Sequence, residues 1–114
     1  MLVSHKHEFV EFNFNCMEKV ISGNSPVVIK NPKSLTARVL KEGNAKGPIL
    51  GGNMCLLSNR LGTNMEIDTA GKILFLEDID EYLYSFERML LHMRDANIFE
   101  KIKGLIFGEL CDFK

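Results

Sequence analysis

The chain has 114 residues, 46% of them hydrophobic and 25% charged, with a formal net charge of -1. That length carries one core in one domain spanning 1–114, and a near-neutral surface without a basic block argues against nucleic acid as a partner. No apolar run approaches the roughly 18 residues of a membrane span, and the polar start Met1–His7 lacks the apolar centre of an export signal.

Cys16, Cys55 and Cys111 are odd in number and widely spaced, with no paired-cysteine motif. Such spacing favours a reducing, cytoplasmic setting over a disulfide framework or a zinc site.

In chain order, the first element is a helix from about Glu11 to Ser22, stopped by Gly23 and the turn-forming Asn24-Ser-Pro26. Pro26–Lys30 is short and β-branched and reads as a strand. Leu35–Leu40 alternates and reads as a second strand pairing with it. Glu42–Gly47 is a loop.

Pro48-Ile-Leu-Gly-Gly-Asn53 is a short apolar strand ending in a glycine pair, and Met54–Leu61 follows with helical spacing up to Gly62. Two glycines between strand and helix allow a sharp turn and let a ligand approach bare N–H groups. The spacing matches no phosphate-binding signature, so a plain strand-to-helix turn stands equally.

After a polar connection over 64–71 comes Lys72-Ile-Leu-Phe-Leu-Glu77-Asp-Ile-Asp-Glu81. Ile73–Leu76 is unbroken and apolar, as suits a strand buried on both faces of a sheet. A helix from about Asp80 to Ala96 carries Tyr82, Phe86, Met89 and Met93 at helical spacing. Phe99–Ile102 reads as a short helical turn, and Gly104–Glu109 as a second buried strand, parallel to the first because a helix crosses between them. Strand, acidic turn and helix begin a βαβ unit, whose ligands gather at the carboxyl ends of strands.

Four acids stand at that end: Glu77, Asp78, Asp80 and Glu81. They could hold a hard cation, although no cation-loop spacing is present, or act as a general acid/base pair. The plainer account is capping of the following helix by Asp78 or Asp80. Glu77 differs, because it continues the buried-strand pattern and therefore needs a partner. His5 and His7 belong to the amino terminus, His92 falls on the polar side of its helix, and no serine sits in a nucleophile elbow.

The motifs Gly43-x-Ala-x-Gly47-Pro-Ile-Leu-Gly-Gly-Asn53, Leu61-Gly-Thr63, Gly71-Lys-Ile-Leu-Phe-Leu-Glu-Asp78, Glu81, Tyr84, Arg88-Met-Leu90 and Gly104-Leu-Ile-Phe-Gly-Glu109 occur in this order. The set resembles the carboxyl-terminal domain of the LD-carboxypeptidases, serine peptidases that include the microcin-immunity enzymes. The resemblance implies an α/β fold of the swivelling β/β/α type with a small parallel sheet. It also implies a cytoplasmic enzyme that takes murein tetrapeptides and cuts the L–D bond to release terminal D-alanine in cell-wall recycling, without a cofactor or metal.

A Ser-His-Glu triad would do the chemistry. Glu77 matches the triad glutamate, and Gly51, Gly52 and Asn53 match a loop at the substrate cleft. The serine-bearing domain and the Gly-His segment of the family are not found in these residues, and Glu87 and Met54 replace the usual Asp and Leu. The expectation is a chain holding one triad member of three and inactive by itself. The alternative is a non-catalytic remnant that binds or self-associates, as a homodimer for instance.

Overall fold

The computed structural model describes residues 10–23, 28, 37–112 and 114, which fall into two compact units, Met1–Lys41 and Glu42–Lys114. Among the described residues of the first unit one helix, α1, spans Val10–Ile21 and buries none of its side chains. It agrees with the expected helix to within a residue at each end.

The two early strands fare differently. The expected strand over 26–30 lies outside the described residues except for Val28, which has no regular structure. Of the one over 35–40, the last four residues are described and form no strand. Val39 and Leu40 are largely exposed and have no ladder partner among the described residues. Alternation alone does not make a strand where no neighbour takes up its hydrogen bonds.

The second unit is a three-stranded parallel sheet in the order β1-β2-β3, with β1 at Ile49–Asn53, β2 at Ile73–Ile79 and β3 at Gly104–Cys111. Helix α2, Met54–Ser58, leaves β1 directly, and α3, Leu83–Asp95, joins β2 to β3. The α/β class and the parallel pairing of β2 with β3 are therefore as expected.

Leu74 and Leu76 of β2 are completely buried against Met54 of α2, Met89 and Met93 of α3, and Ile98. Phe86 and Phe107 pack around this core with their rings tilted 6.3 Å apart. The apolar stripe of α3 thus includes Phe86, Met89 and Met93. Tyr82 lies off it and stacks instead on Tyr84, with centroids 5.4 Å apart.

Besides α3, which starts at Leu83 and not at Asp80, three elements depart from expectation, each for a local reason. The strand β2 is not buried on both faces. Its residues alternate, and Ile73, Phe75 and Glu77 on the face away from the helices are only half-buried. It also runs on through Glu77 and Asp78, because the Asp78 carboxylate is satisfied inside the fold.

Helix α2 ends at Ser58, not Leu61. Beyond it the bonds tighten to i→i−3 steps, Arg60 N donating to the Leu57 carbonyl and Leu61 N to that of Ser58, before Gly62 turns left-handed at φ 74°. Finally, 99–102 forms no helical turn, because Asn97 at φ 61° breaks the α3 geometry before it.

Candidate functional site

At the carboxyl ends of the strands, Asn53 closes β1 and lies opposite Glu77 of β2 in the parallel register. Gly51 and Gly52 precede it at φ 150° and 152°, a region that side chains disfavour. The two glycines are not equivalent. A Cβ on Gly51 would come within 1.8 Å of the Phe75 carbonyl oxygen, so β1 can lie against β2 here only without a side chain. A Cβ on Gly52 would meet nothing within 4 Å, so this position faces open space.

Glu77 is half-buried and sits on the outer face of the sheet with Phe75. Gly108 of β3 makes room for both: a Cβ there would lie 2.8 Å from the Phe75 ring and 3.2 Å from the Glu77 Cβ. No hydrogen bond or ion pair of the Glu77 carboxylate is present among the described residues. The partner that its position in the strand calls for is not supplied from within them.

The next residue is the opposite case. Asp78 is 3% exposed and faces the helices. Its Oδ1 accepts from Asn53 Nδ2 and from its neighbour's amide Ile79 N, and its Oδ2 accepts from Cys55 N, all at 3.0 Å. Asn53 in turn caps α2, its Oδ1 accepting from Leu56 N at 3.0 Å.

The expectation that Asp78 or Asp80 caps the following helix is therefore corrected. Helix α3 has Tyr82 at its N-cap with no side-chain bond, and no acid in its first turn. Asp78 serves the start of α2 instead, because alternation along β2 turns its carboxylate towards that helix. Asp80 turns the chain at φ 58° and pairs with Lys114 Nζ at 2.6 Å, which raises the lysine's pKa.

The remaining sequence candidates are dispersed. Among the described residues no three His, Cys, Asp or Glu side chains converge to hold a metal ion. His5 and His7 lie outside the described residues. His92 is exposed, as expected from the polar side of α3, but not free: its Nδ1 lies 3.1 Å from Oγ of the buried Ser58. Arg88, near it, sits 5.1 Å above the Tyr84 ring.

The Cys55 side chain is exposed, and its thiol is held above its ordinary pKa by partial desolvation first, then by the charges of Glu81 and Asp78. A depression of about 420 Å³ between 66–70 and 96–101 is at the other end of the strands and contains none of the predicted site residues. Sequence reasoning missed the Asp78–Asn53 tie. The alternation of β2 could have shown that Glu77 and Asp78 face opposite ways, but not that Asn53 would reach back to the second acid.

Known proteins fit this geometry. Residues 46–114 match the family described as the LD-carboxypeptidase C-terminal domain. The Bacillus subtilis protein named "Probable murein peptide carboxypeptidase" is 45% identical over 74 residues, 65% of this chain and 22% of its own length. A protein of Rickettsia conorii that carries a carboxypeptidase name is 34% identical over 104 residues, 90% of this chain and 33% of its own. The chain thus spans between a fifth and a third of these curated relatives.

Among solved structures, muramoyltetrapeptide carboxypeptidase from Oxalobacter formigenes shares 43% identity at a TM-score of 0.56, covering 60% of this chain and 24% of its own. The microcin-immunity protein MccF superposes over 97% of this chain and 40% of its own at a TM-score of 0.70 with 17% identity, a likeness of fold. No described helix is long and apolar enough to cross a membrane. On the matched domain and the identities together, this chain belongs to the LD-carboxypeptidase family and corresponds to its carboxyl-terminal domain.

Proposed function

We propose that this chain contributes the acidic member of a Ser-His-Glu triad to a cytoplasmic serine carboxypeptidase, one that releases terminal D-alanine from murein tetrapeptides in cell-wall recycling. Glu77 receives the Nδ1–H of a histidine, holds that ring in the tautomer that can take the serine proton, and stabilises the imidazolium that forms. Gly51, Gly52 and Asn53 line the cleft beside it, where the open space over Gly52 lets a peptide backbone approach. The serine and the histidine come from outside these residues, and the chain is inactive without them.

One observation carries the reading. Glu77 lies near the carboxyl end of the central strand, on the outer face, with no bond to its carboxylate among the described residues, while the adjacent acid is fully engaged.

The test has two parts. The 114-residue chain alone, given a murein tetrapeptide, should release no D-alanine, and measurable release refutes its silence. Residues 46–114 substituted for the matching stretch of the Bacillus subtilis relative should support D-alanine release. Changing Glu77→Gln in that hybrid should then lower kcat by about 10³- to 10⁴-fold, as loss of the triad acid does in other serine peptidases. Full activity after Glu77→Gln would remove the glutamate from the triad.

The self-association reading also has an observation in its favour: Ile49, Ile79, Ile106 and Leu110 are large apolar residues left exposed on the sheet. Sedimentation of the chain as a monomer at high concentration would dispose of it.

A further inference from the structure

We propose that the depression between α2 and α3 binds a phosphate-type oxyanion, held by Ser58, Ser85, Arg88 and His92. None of Gly51, Gly52, Asn53 and Glu77 lines it, so it stands without the carboxypeptidase reading.

Helical spacing brings most of the groups together. Ser85, Arg88, Met89 and His92 stand at i, i+3, i+4 and i+7 of α3 and share one face of that helix. Ser58, the last residue of α2, meets this face, with its Oγ 3.1 Å from His92 Nδ1. The space between them is about 270 Å³, and Met89 of the core forms its apolar wall. Among the described residues, every other lining side chain can donate a hydrogen bond and none is a carboxylate. Glu87, next to Arg88 in the chain, is not part of the lining.

Donors are left over after the fold has used what it needs. A hydroxyl and a neutral imidazole carry one polar hydrogen each, and the Ser58–His92 contact consumes one of the two. In one tautomer Ser58 donates to Nδ1 and the Nε2–H remains. In the other Nδ1–H donates to Ser58 and the hydroxyl hydrogen remains. The Ser85 hydroxyl has no hydrogen bond among the described residues. Arg88 adds five N–H groups and a full charge. Its guanidinium makes no ion pair among the described residues, and it lies 5.1 Å from the centre of the Tyr84 ring, which attracts the cation without neutralising it.

The opposing effect is the carbonyl end of α2, which would repel an anion. Those carbonyls are occupied: Cys55, Leu57 and Ser58 accept from the backbone N–H groups of Asn59, Arg60 and Leu61. A forked cation flanked by two hydroxyls and an imidazole, on two helices, suits an anion whose oxygens point in several directions. A tetrahedral phosphate meets that description better than a planar carboxylate.

The test is a nuclear magnetic resonance titration of the full 114-residue chain with inorganic phosphate, at fixed neutral pH and with ionic strength held constant by sodium chloride. The Arg88 Nε–H, the His92 ring and the Ser58 and Ser85 amides should shift together and saturate. Shifts that never saturate, or that scatter along the chain without favouring these four residues, overturn the site. This titration needs no variant, so a misfolded one does not spare the idea.

Variants then separate a built site from general attraction. Arg88→Gln should weaken phosphate binding at least about tenfold, the scale of one hydrogen bond to a charged group. Arg94→Gln removes the same charge from the same helix outside the depression and should leave binding unchanged. Equal losses in the two overturn the proposal. Glycerol 3-phosphate distinguishes the source of the oxyanion. Tighter binding than inorganic phosphate assigns the site to an organic phosphomonoester, and weaker binding assigns it to the free ion. Either preference supports the site, and a chain that binds neither overturns it.

Discussion

The two faces of β2 are built to different standards. On the inner face Leu74, Leu76 and Asp78 are at most 3% exposed, and every polar atom buried there has a partner. On the outer face Ile73, Phe75 and Glu77 are half-covered, and the carboxylate at the end has no bond among the described residues. The inner face shows what this sheet needs in order to fold, namely close apolar packing and complete hydrogen bonding. The outer face carries an acid that takes no part in that bonding among the described residues. A carboxylate that contributes nothing to the core is available for another purpose.

The comparison can be broken most severely at the glycine pair. Gly51→Ala places a methyl group 1.8 Å from the Phe75 carbonyl oxygen and should destabilise the sheet by about 3 kcal/mol or more, unfolding it at room temperature in a marginal chain. Gly52→Ala has free space and incurs only the positive φ, about 1–2 kcal/mol. Thermal melts followed by circular dichroism separate the two. Equal losses would mean that β1 does not lie against β2 as described.

The second break tests the acids themselves. Asp78→Ala strands three donors, and at about 1 kcal/mol or more for each it should lower stability by roughly 3 kcal/mol. Glu77→Gln should stay within about 0.5 kcal/mol, the range of surface changes. Urea titration of both variants measures the contrast. A Glu77→Gln loss as large as that of Asp78→Ala would make Glu77 structural and leave it no spare role.

A finer probe is the thiol beside them. The pKa of Cys55 lies above its ordinary 9.0, through partial desolvation and then the charges of Glu81 and Asp78. Alkylation of Cys55 should therefore turn on at higher pH than for a free thiol. Removing one of the raising charges with Glu81→Gln should move that onset down. A rate profile that Glu81→Gln leaves unchanged would show that the acids at the strand end do not act on this thiol.

Much of the second unit was legible in the sequence. The runs Ile49–Asn53 and Ile73–Leu76, the spacing of Phe86, Met89 and Met93, and the glycine pair all carry local signals, namely apolar density, a 3.6 period and chain reversal. The structure forms the strands and the α3 stripe where these signals place them, but β2 is buried on one face only and the glycine pair lies inside β1 and not at a turn. The reading fell short where a signal needed a partner to mean anything. Val39 and Leu40 alternate like a strand but have no ladder, and Asp78 sits where a cap for α3 is expected yet its bonds go to α2.

The sequence alone therefore determined the α/β class and the family, because motif order and periodicity are properties of the chain itself. It also singled out Glu77 as the acid at the end of the central strand. Only the tertiary structure decided that Glu77 and Asp78 do opposite things. That division depends on strand alternation and on Asn53, distant in sequence, arriving at hydrogen-bonding distance of one carboxylate and not the other. Hydrogen bonds of this kind join residues across strands, and no pattern within either strand specifies them.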